Sequence, residues 1–148
     1  MRILILSDSH SSYLDIPFNN YDYVIHCGDY GNNYEYLKEN NVLFVRGNCD
    51  YEGAKQIITE IKNKKILITH GDLYNVKYHY NSLVYKALES KCDIVFFGHT
   101  HRADMFIEDN IIFINPGSYQ YLDYVEIIDD NIIFYKDGKK YKNFEYRW

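Results

Sequence analysis

Proline and glycine are scarce in this chain: two prolines (Pro17, Pro116) and eight glycines in 148 residues, with no Pro/Ser-rich linker, internal repeat or low-complexity tract. That excludes a tethered second domain, and the length sets one domain, residues 1–148, able to bury about 70% of its unfolded surface. No apolar run approaches the roughly 18 residues that a membrane span needs, so no membrane partner is expected. The opening Ile3–Leu6 run meets Ser7 and Asp8 too early for a signal-peptide core, and a cytoplasmic location is the expectation. Cysteine is sparse too. Cys27, Cys49 and Cys92 cannot all pair and form no C-x-x-C, which fits a reducing compartment.

Positive charge is also short: 16 Lys and Arg against 21 Asp and Glu give a formal charge of −5. This disfavours extended nucleic acid, whose binding relies on Lys and Arg neutralising many phosphates, but leaves a small phosphate ester open. Five of the cations lie in residues 131–148, where they read as a solvated strand face. No G-x-x-x-x-G-K-[ST] phosphate loop occurs. A cysteine-dependent phosphatase needs Arg six residues after its nucleophile, and Asn33, Lys55 and Gly98 stand there instead. No residue pattern specifies an oligomeric state.

What the chain does have is a series of short, nearly continuous apolar runs. Arg2–Leu6, Tyr23–His26, Val42–Arg46, Ile66–Thr69 and Ile94–Phe97 have the composition of strands buried on both faces. Helices are expected at Asn33–Glu39 and Asn81–Ser90, and Gln56–Ile61 with Lys65–Thr69 reads as a hairpin about Lys62-Asn63-Lys64. The last third alternates strand and turn, with strands at Met105–Glu108, Ile111–Ile114, Asp123–Ile128, Ile132–Tyr135 and Lys140–Tyr146. The pattern gives an α/β fold, most simply two packed sheets with helices outside.

Five successive strand ends carry polar clusters: Ser7-Asp8-Ser9-His10, His26-Cys27-Gly28-Asp29, Gly47-Asn48-Cys49-Asp50, His70-Gly71-Asp72 and Gly98-His99-Thr100-His101. In an open, mostly parallel sheet the carboxyl ends line one edge, so these clusters converge in space. Asp8 and His10 are two apart, as are His99 and His101, and in extended backbone each pair projects to one side. Imidazole with carboxylate suits Mn²⁺, Fe, Ni²⁺ or Zn²⁺ better than Mg²⁺ or Ca²⁺. A lone D-x-H or Gly-Asp is an ordinary turn. Four of the six histidines standing as candidate ligands, His10, His70, His99 and His101, at the ends of consecutive strands are not. His26 and His79 fall outside the set and are read as structural or surface residues; Cys49 and Asp50 could equally be a buried thiol and a capping carboxylate.

As an ordered set, Asp8-x-His10, Gly28-Asp29, Gly47-Asn48-Cys49-Asp50, His70-Gly71, Gly98-His99-Thr100-His101 and Asn115-Pro116-Gly117-Ser118 resemble the calcineurin-like metallophosphoesterases, specifically the small bacterial and archaeal phosphodiesterases. The resemblance implies a four-layer αββα sandwich: two mixed sheets flanked by helices, with a metal site at the carboxyl ends of the strands. It implies two divalent ions, Mn²⁺ first with Ni²⁺, Fe or Zn²⁺ as alternatives. Asp8, His10, Asp29 and His101 would hold one ion, and Asp29, Asn48, His70 and His99 the second, with Asp29 as the bridge. The implied activity is hydrolysis of a small phosphodiester by a metal-bridging hydroxide. Two ions, two carboxylates and a hydroxide leave a net charge of about +1 to attract phosphate. Cys49 stands where many larger relatives carry a His thought to help the leaving group, so Cys49 and Asp50 are candidates for roles near the site, and activated esters should react better. Asp72 stands where another His is common. A relative of this fold is a subunit of the retromer coat but is short of metal-site histidines, which makes a catalytically weak interaction scaffold the alternative. All seven candidate ligands are present here and favour the enzyme.

Overall fold

The computed structural model describes residues 1–148. Eleven strands form two mixed sheets. The first contains β1 (Arg2–Leu6), β2 (Tyr23–His26), β3 (Leu43–Phe44), β9 (Tyr124–Ile128), β10 (Asn131–Lys136) and β11 (Lys139–Glu145) in the order β11-β10-β9-β1-β2-β3. The second contains β4 (Gln56–Ile61), β5 (Lys64–Thr69), β6 (Ile94–Phe96), β7 (Asp104–Glu108) and β8 (Ile111–Asn115) in the order β4-β5-β6-β8-β7. In the first sheet β1-β2-β3 form a parallel half that runs to the β3 edge, joined through β1 to the antiparallel β9-β10-β11; in the second, the parallel β5-β6-β8 are flanked on both sides by the antiparallel β4 and β7.

The continuous apolar runs explain the layering, because alternate side chains of one strand serve different layers. Ile3 and Ile5 of β1, Ile66 and Ile68 of β5, Ile94 and Phe96 of β6, and Ile112 and Ile114 of β8 fill the space between the sheets. Leu4 and Leu6 point the other way, onto α1 (Tyr34–Glu39) through Leu37. Leu67, Val95 and Phe113 likewise face α2 (Asn81–Glu89) through Leu83, Val84 and Ala87. Two sheets inside and one helix on each outer face make the four layers expected.

Most expected elements lie within a residue or two of their observed bounds. The Val42–Arg46 strand is the clearest exception, since only Leu43 and Phe44 pair with β2. Val45 still donates to the His26 carbonyl, but Arg46 donates to Ala54, so the chain peels off the sheet there. Ser11–Tyr21 forms no α-helix, only a 3-10 turn at Phe18–Asn20. The lysine-rich end is the edge strand β11, whose exposed Lys139, Lys140 and Lys142 discourage edge-to-edge pairing.

Phe96 is fully buried between the sheets. Phe96→Ala should cost about 3–5 kcal/mol, read as a lower urea midpoint with an unchanged denaturant slope.

Candidate metal centre

All six parallel strands end on the same rim, and each carries one of the polar segments. Main-chain bonds stitch the segments together: Asp8 N–H donates to Gly28 O (2.9 Å), His10 N–H to Asp29 O (2.8 Å), Gly98 N–H to His70 O (3.0 Å) and Tyr119 N–H to Ser7 O (2.8 Å). The expectation that Asp8/His10 and His99/His101 converge through extended backbone is corrected here. All four lie beyond their strands and have left-handed φ, at 52°, 47°, 72° and 60° respectively, and Asp29 joins them at 57°. Five of the seven candidate ligands thus occupy a conformation that non-glycine residues avoid. At about 1 kcal/mol each, the low end for strained residues, this costs roughly 5 kcal/mol of a typical 5–15 kcal/mol net stability. Such concentrated strain persists only where surrounding contacts enforce it.

The seven side chains converge as two adjoining groups. Asp8 Oδ1 lies 3.1 Å from His101 Nε2 and 4.0 Å from His10 Nε2, and those ring nitrogens are 3.3 Å apart. In the second group His70 Nε2 is 3.2 Å from Asp29 Oδ2, 3.0 Å from Asn48 Oδ1 and 3.1 Å from His99 Nδ1. Only 3.8 Å separates Asp8 Oδ1 from His70 Nε2, joining the two. Asp29 lies within reach of both, since it also groups with His10 and Cys49. His99 and His101 therefore part company, one to each group. Each group runs from the core to the surface: Asp8, Asp29 and His70 are buried, whereas the His10 and His101 side chains are 27% and 40% exposed and Asn48 is exposed as well.

His70 donates from Nδ1 to the Cys27 carbonyl at 2.8 Å, which turns Nε2 toward the cluster. Burial pushes the His70 pKa down, but the Asp29 contact and the Asp8 charge outweigh it and leave it raised. Burial also pushes the Asp29 carboxyl up; its His70 contacts and the Cys49 N–H prevail and hold it well below the carboxylate range. His99 is displaced downward by burial and by His70. The cluster stabilises positive charge between its carboxylates.

Neighbouring residues hold this geometry. Asp50 accepts N–H bonds from Asp29 (2.7 Å), Gly47 (2.7 Å) and Tyr30 (3.2 Å), so it clamps two ligand loops together. The Cys49 N–H holds Asp29 Oδ1 at 2.9 Å, while its thiol is exposed and is raised in pKa by burial and then by the Asp29 charge. His26 is buried and bridges Ser9 Oγ (2.8 Å) to Gly28 N (3.1 Å); burial and His70 lower its pKa to about 3, keeping it neutral, in line with a structural role. Asp72 begins a 3-10 turn and belongs to neither ligand group. Two residues were not singled out individually from the sequence. Asn115 donates from Nδ2 to Gly98 O (3.1 Å) and Thr100 Oγ1 (2.9 Å), fixing the turn that bears His99 and His101. Ser118 Oγ donates to Asp8 O at 2.8 Å. Both belong to the Asn115–Ser118 turn, whose position after a buried strand was the available signal. At Gly47 and Gly98 a Cβ would collide with Asp29 Oδ1 and with Ser7 Oγ beside Asp8, so these positions must stay bare for the carboxylates to sit where they do.

A metal fits these residues. Asp8 Oδ1 is buried without a hydrogen-bond partner, while Oδ2 accepts from Ser7 Oγ (2.6 Å) and His99 N (3.1 Å). Carboxylate, amide and imidazole donor atoms crowd within 3.0–3.8 Å of one another, a donor set that suits a shared cation.

Comparison with known proteins gives one family. The model of the calcineurin-like phosphoesterase superfamily domain matches residues 1–126. The probable metallophosphoesterase YsnB of Bacillus subtilis is 32% identical over 126 residues, covering 80% of this chain and 75% of that protein. A phosphodiesterase of Methanocaldococcus jannaschii is 32% identical over 146 residues, covering 79% and 83%. Among solved structures, a conserved Streptococcus pneumoniae protein described as a predicted phosphoesterase superposes with TM-score 0.82 at 28% identity, over 97% of each chain. A Vps29 variant from Entamoeba histolytica superposes with TM-score 0.77 at 19% identity, over 99% of this chain and 100% of its own, a likeness of fold alone.

In Asp8→Asn the amide oxygen can keep the Ser7 and His99 bonds while the amide nitrogen fills the orphaned position. The metal-free variant should therefore melt above metal-free wild type at about pH 9, where imidazoles are ordinarily neutral, by about 2–4 °C per kcal/mol recovered. It should also lose the rise in melting temperature that divalent metal gives wild type. A lower melting temperature would count against the unsatisfied oxygen.

Proposed function

Since the chain belongs to the calcineurin-like phosphoesterase family, we propose that it hydrolyses phosphodiester bonds of small substrates using two divalent metal ions, Mn²⁺ first, with Ni²⁺, Fe or Zn²⁺ as alternatives. The carrying observation is the pair of adjoining ligand groups with Asp29 within reach of both. In this reading Asp8, His10, Asp29 and His101 hold one ion, and Asp29, Asn48, His70 and His99 the other. Two ions held there supply Lewis acidity to phosphoryl oxygens and a hydroxide at neutral pH for in-line attack.

The residues set further terms. Only Asp8 and Asp29 among the seven are acids, and Asn48 offers a neutral oxygen, so positive charge is left over to attract a phosphate. His10, His101 and Asn48 are the exposed ligands, and an ester can approach over them. Asp50 is committed to three main-chain N–H groups, which removes it as a proton donor to the leaving group. Aryl esters with good leaving groups should accordingly outpace alkyl esters. No helix is long and apolar enough to cross a membrane, and a cytoplasmic setting without extended nucleic acid belongs to this reading because three free thiols suit a reducing compartment.

Hydrolysis of bis-p-nitrophenyl phosphate should vanish with chelator and return with Mn²⁺. Asp29→Ala should lower it by at least about 100-fold, with metal content measured alongside. Chelator-insensitive turnover by protein shown to be metal-free would refute the mechanism. Cys49→Ser should retain turnover, because the Asp29 contact is made by the main chain.

A further inference from the structure

Two cavities flank the ligand cluster, and their charge differs. The smaller, about 300 Å³, lies beside Asn48; there Arg46 and Lys55 face Asp50 and Asp72, and the Arg46 guanidinium already donates to the Tyr51 carbonyl at 3.1 Å. The larger, about 520 Å³, lies beside the His99–His101 turn and is lined by Lys77, Tyr80, Thr100, Arg102 and Asp104 among others. Its volume is in the range of small-molecule sites. Its two cations face a single acid, and Asp104 is engaged at both oxygens, by Tyr80 Oη (3.0 Å) and Met105 N (2.9 Å). Lys77 and Arg102 take part in no ion pair. On a chain of net charge −5, a cation excess in this cavity is not an average of the surface.

This cavity is also mechanically tied to the ligand turn. Thr100 sits between His99 and His101, and its Oγ1 accepts from both Asn115 Nδ2 (2.9 Å) and Arg102 N (3.1 Å). The buried Asn115 side chain that fixes the histidine turn thus fixes the main chain at Arg102. Tyr80 supplies a rigid wall, its ring stacked on Phe106 at 4.7 Å between centroids.

The geometry points to this cavity as a second anion subsite: it receives the arm of a phosphodiester that carries a further phosphate group, held by Lys77 and Arg102. The inference rests on the phosphoesterase reading above. Arg102 offers a planar fork of donors matched to phosphate, and Lys77 a point charge. An uncharged arm leaves both cations solvated, so the subsite acts as a preference between diesters.

The test compares Mn²⁺-loaded turnover of the thymidine dinucleotide TpT with that of its terminally phosphorylated form pTpT, which share one diester. Wild type should favour pTpT by about tenfold or more in kcat/KM. The preference should fall to within about twofold in Lys77→Ala/Arg102→Ala and persist in Lys86→Ala/Lys91→Ala, which removes the same charge elsewhere. Taking a ratio cancels any general loss of activity. Should neither dinucleotide turn over, the same ratio is read from their inhibition constants against bis-p-nitrophenyl phosphate. A wild-type ratio near one, or a preference that survives Lys77→Ala/Arg102→Ala, overturns the subsite. Absence of Mn²⁺-dependent hydrolysis of bis-p-nitrophenyl phosphate overturns the phosphoesterase reading and the subsite with it.

Discussion

A carboxylate oxygen buried without a proton donor destabilises a fold by the desolvation it is not repaid for, and Asp8 Oδ1 is such an atom. It lies at the end of β1, the strand that joins the parallel and antiparallel halves of its sheet. Around it stand imidazole nitrogens from His10, His70 and His101 at 3.1–4.0 Å, none relieving it through a hydrogen bond. The arrangement makes sense if the protein conserves stability elsewhere and leaves this rim electrostatically unfinished for a cation. Several features of the rim serve that end: the left-handed ligands, the bare Gly47 and Gly98, and the Asp50 clamp.

The sandwich makes that arrangement possible by supplying stiffness from both sheets. β1, β2 and β3 deliver Asp8, His10, Asp29 and Asn48 from one sheet; β5 and β6 deliver His70, His99 and His101 from the other. Phe96 and the isoleucines between the sheets therefore do more than stabilise the fold, since their packing sets the distance between the two halves of the site. The Asn115–Ser118 turn then crosses back, tying Asp8 through its carbonyl to Ser118 and Gly98 to Asn115. A loop on one sheet cannot drift without dragging ligands on the other.

Much of this was legible in the residues because two signals coincided. Doubly apolar runs such as Ile3–Leu6 and Ile66–Thr69 mark strands covered on both faces, and the polar cluster after each marks where its carboxyl end emerges. Convergence follows from parallel topology without any knowledge of distances. Backbone conformation was not legible: Asp8 and His10 read as extended neighbours, yet tertiary hydrogen bonds hold both in left-handed φ. Nor was the short β3, because Val42–Arg46 has strand composition and only the bond from Arg46 to Ala54 draws it away. Asn115 and Ser118 were hard to assign for a related reason: a turn residue's sequence does not say which distant carbonyl it will bond.

The uneven cover of the seven side chains follows from the same topology. His70 leaves β5 directly, with the strand's own burial around it, so its ring is buried and its Nδ1 can be fixed by a buried carbonyl. His10 and His101 lie further beyond their strands, on turns whose far side meets solvent, and Ser11–Tyr21 supplies no α-helix to cover them. Around the buried Asp8, Asp29 and His70 a low dielectric strengthens electrostatic attraction, while the exposed ligands leave the side from which, in the proposed function, a phosphate would arrive. A uniformly buried rim would bind cations and exclude esters, and a uniformly open one would screen the charge that draws them. In the proposed function, uneven cover would let one set of seven side chains meet both requirements.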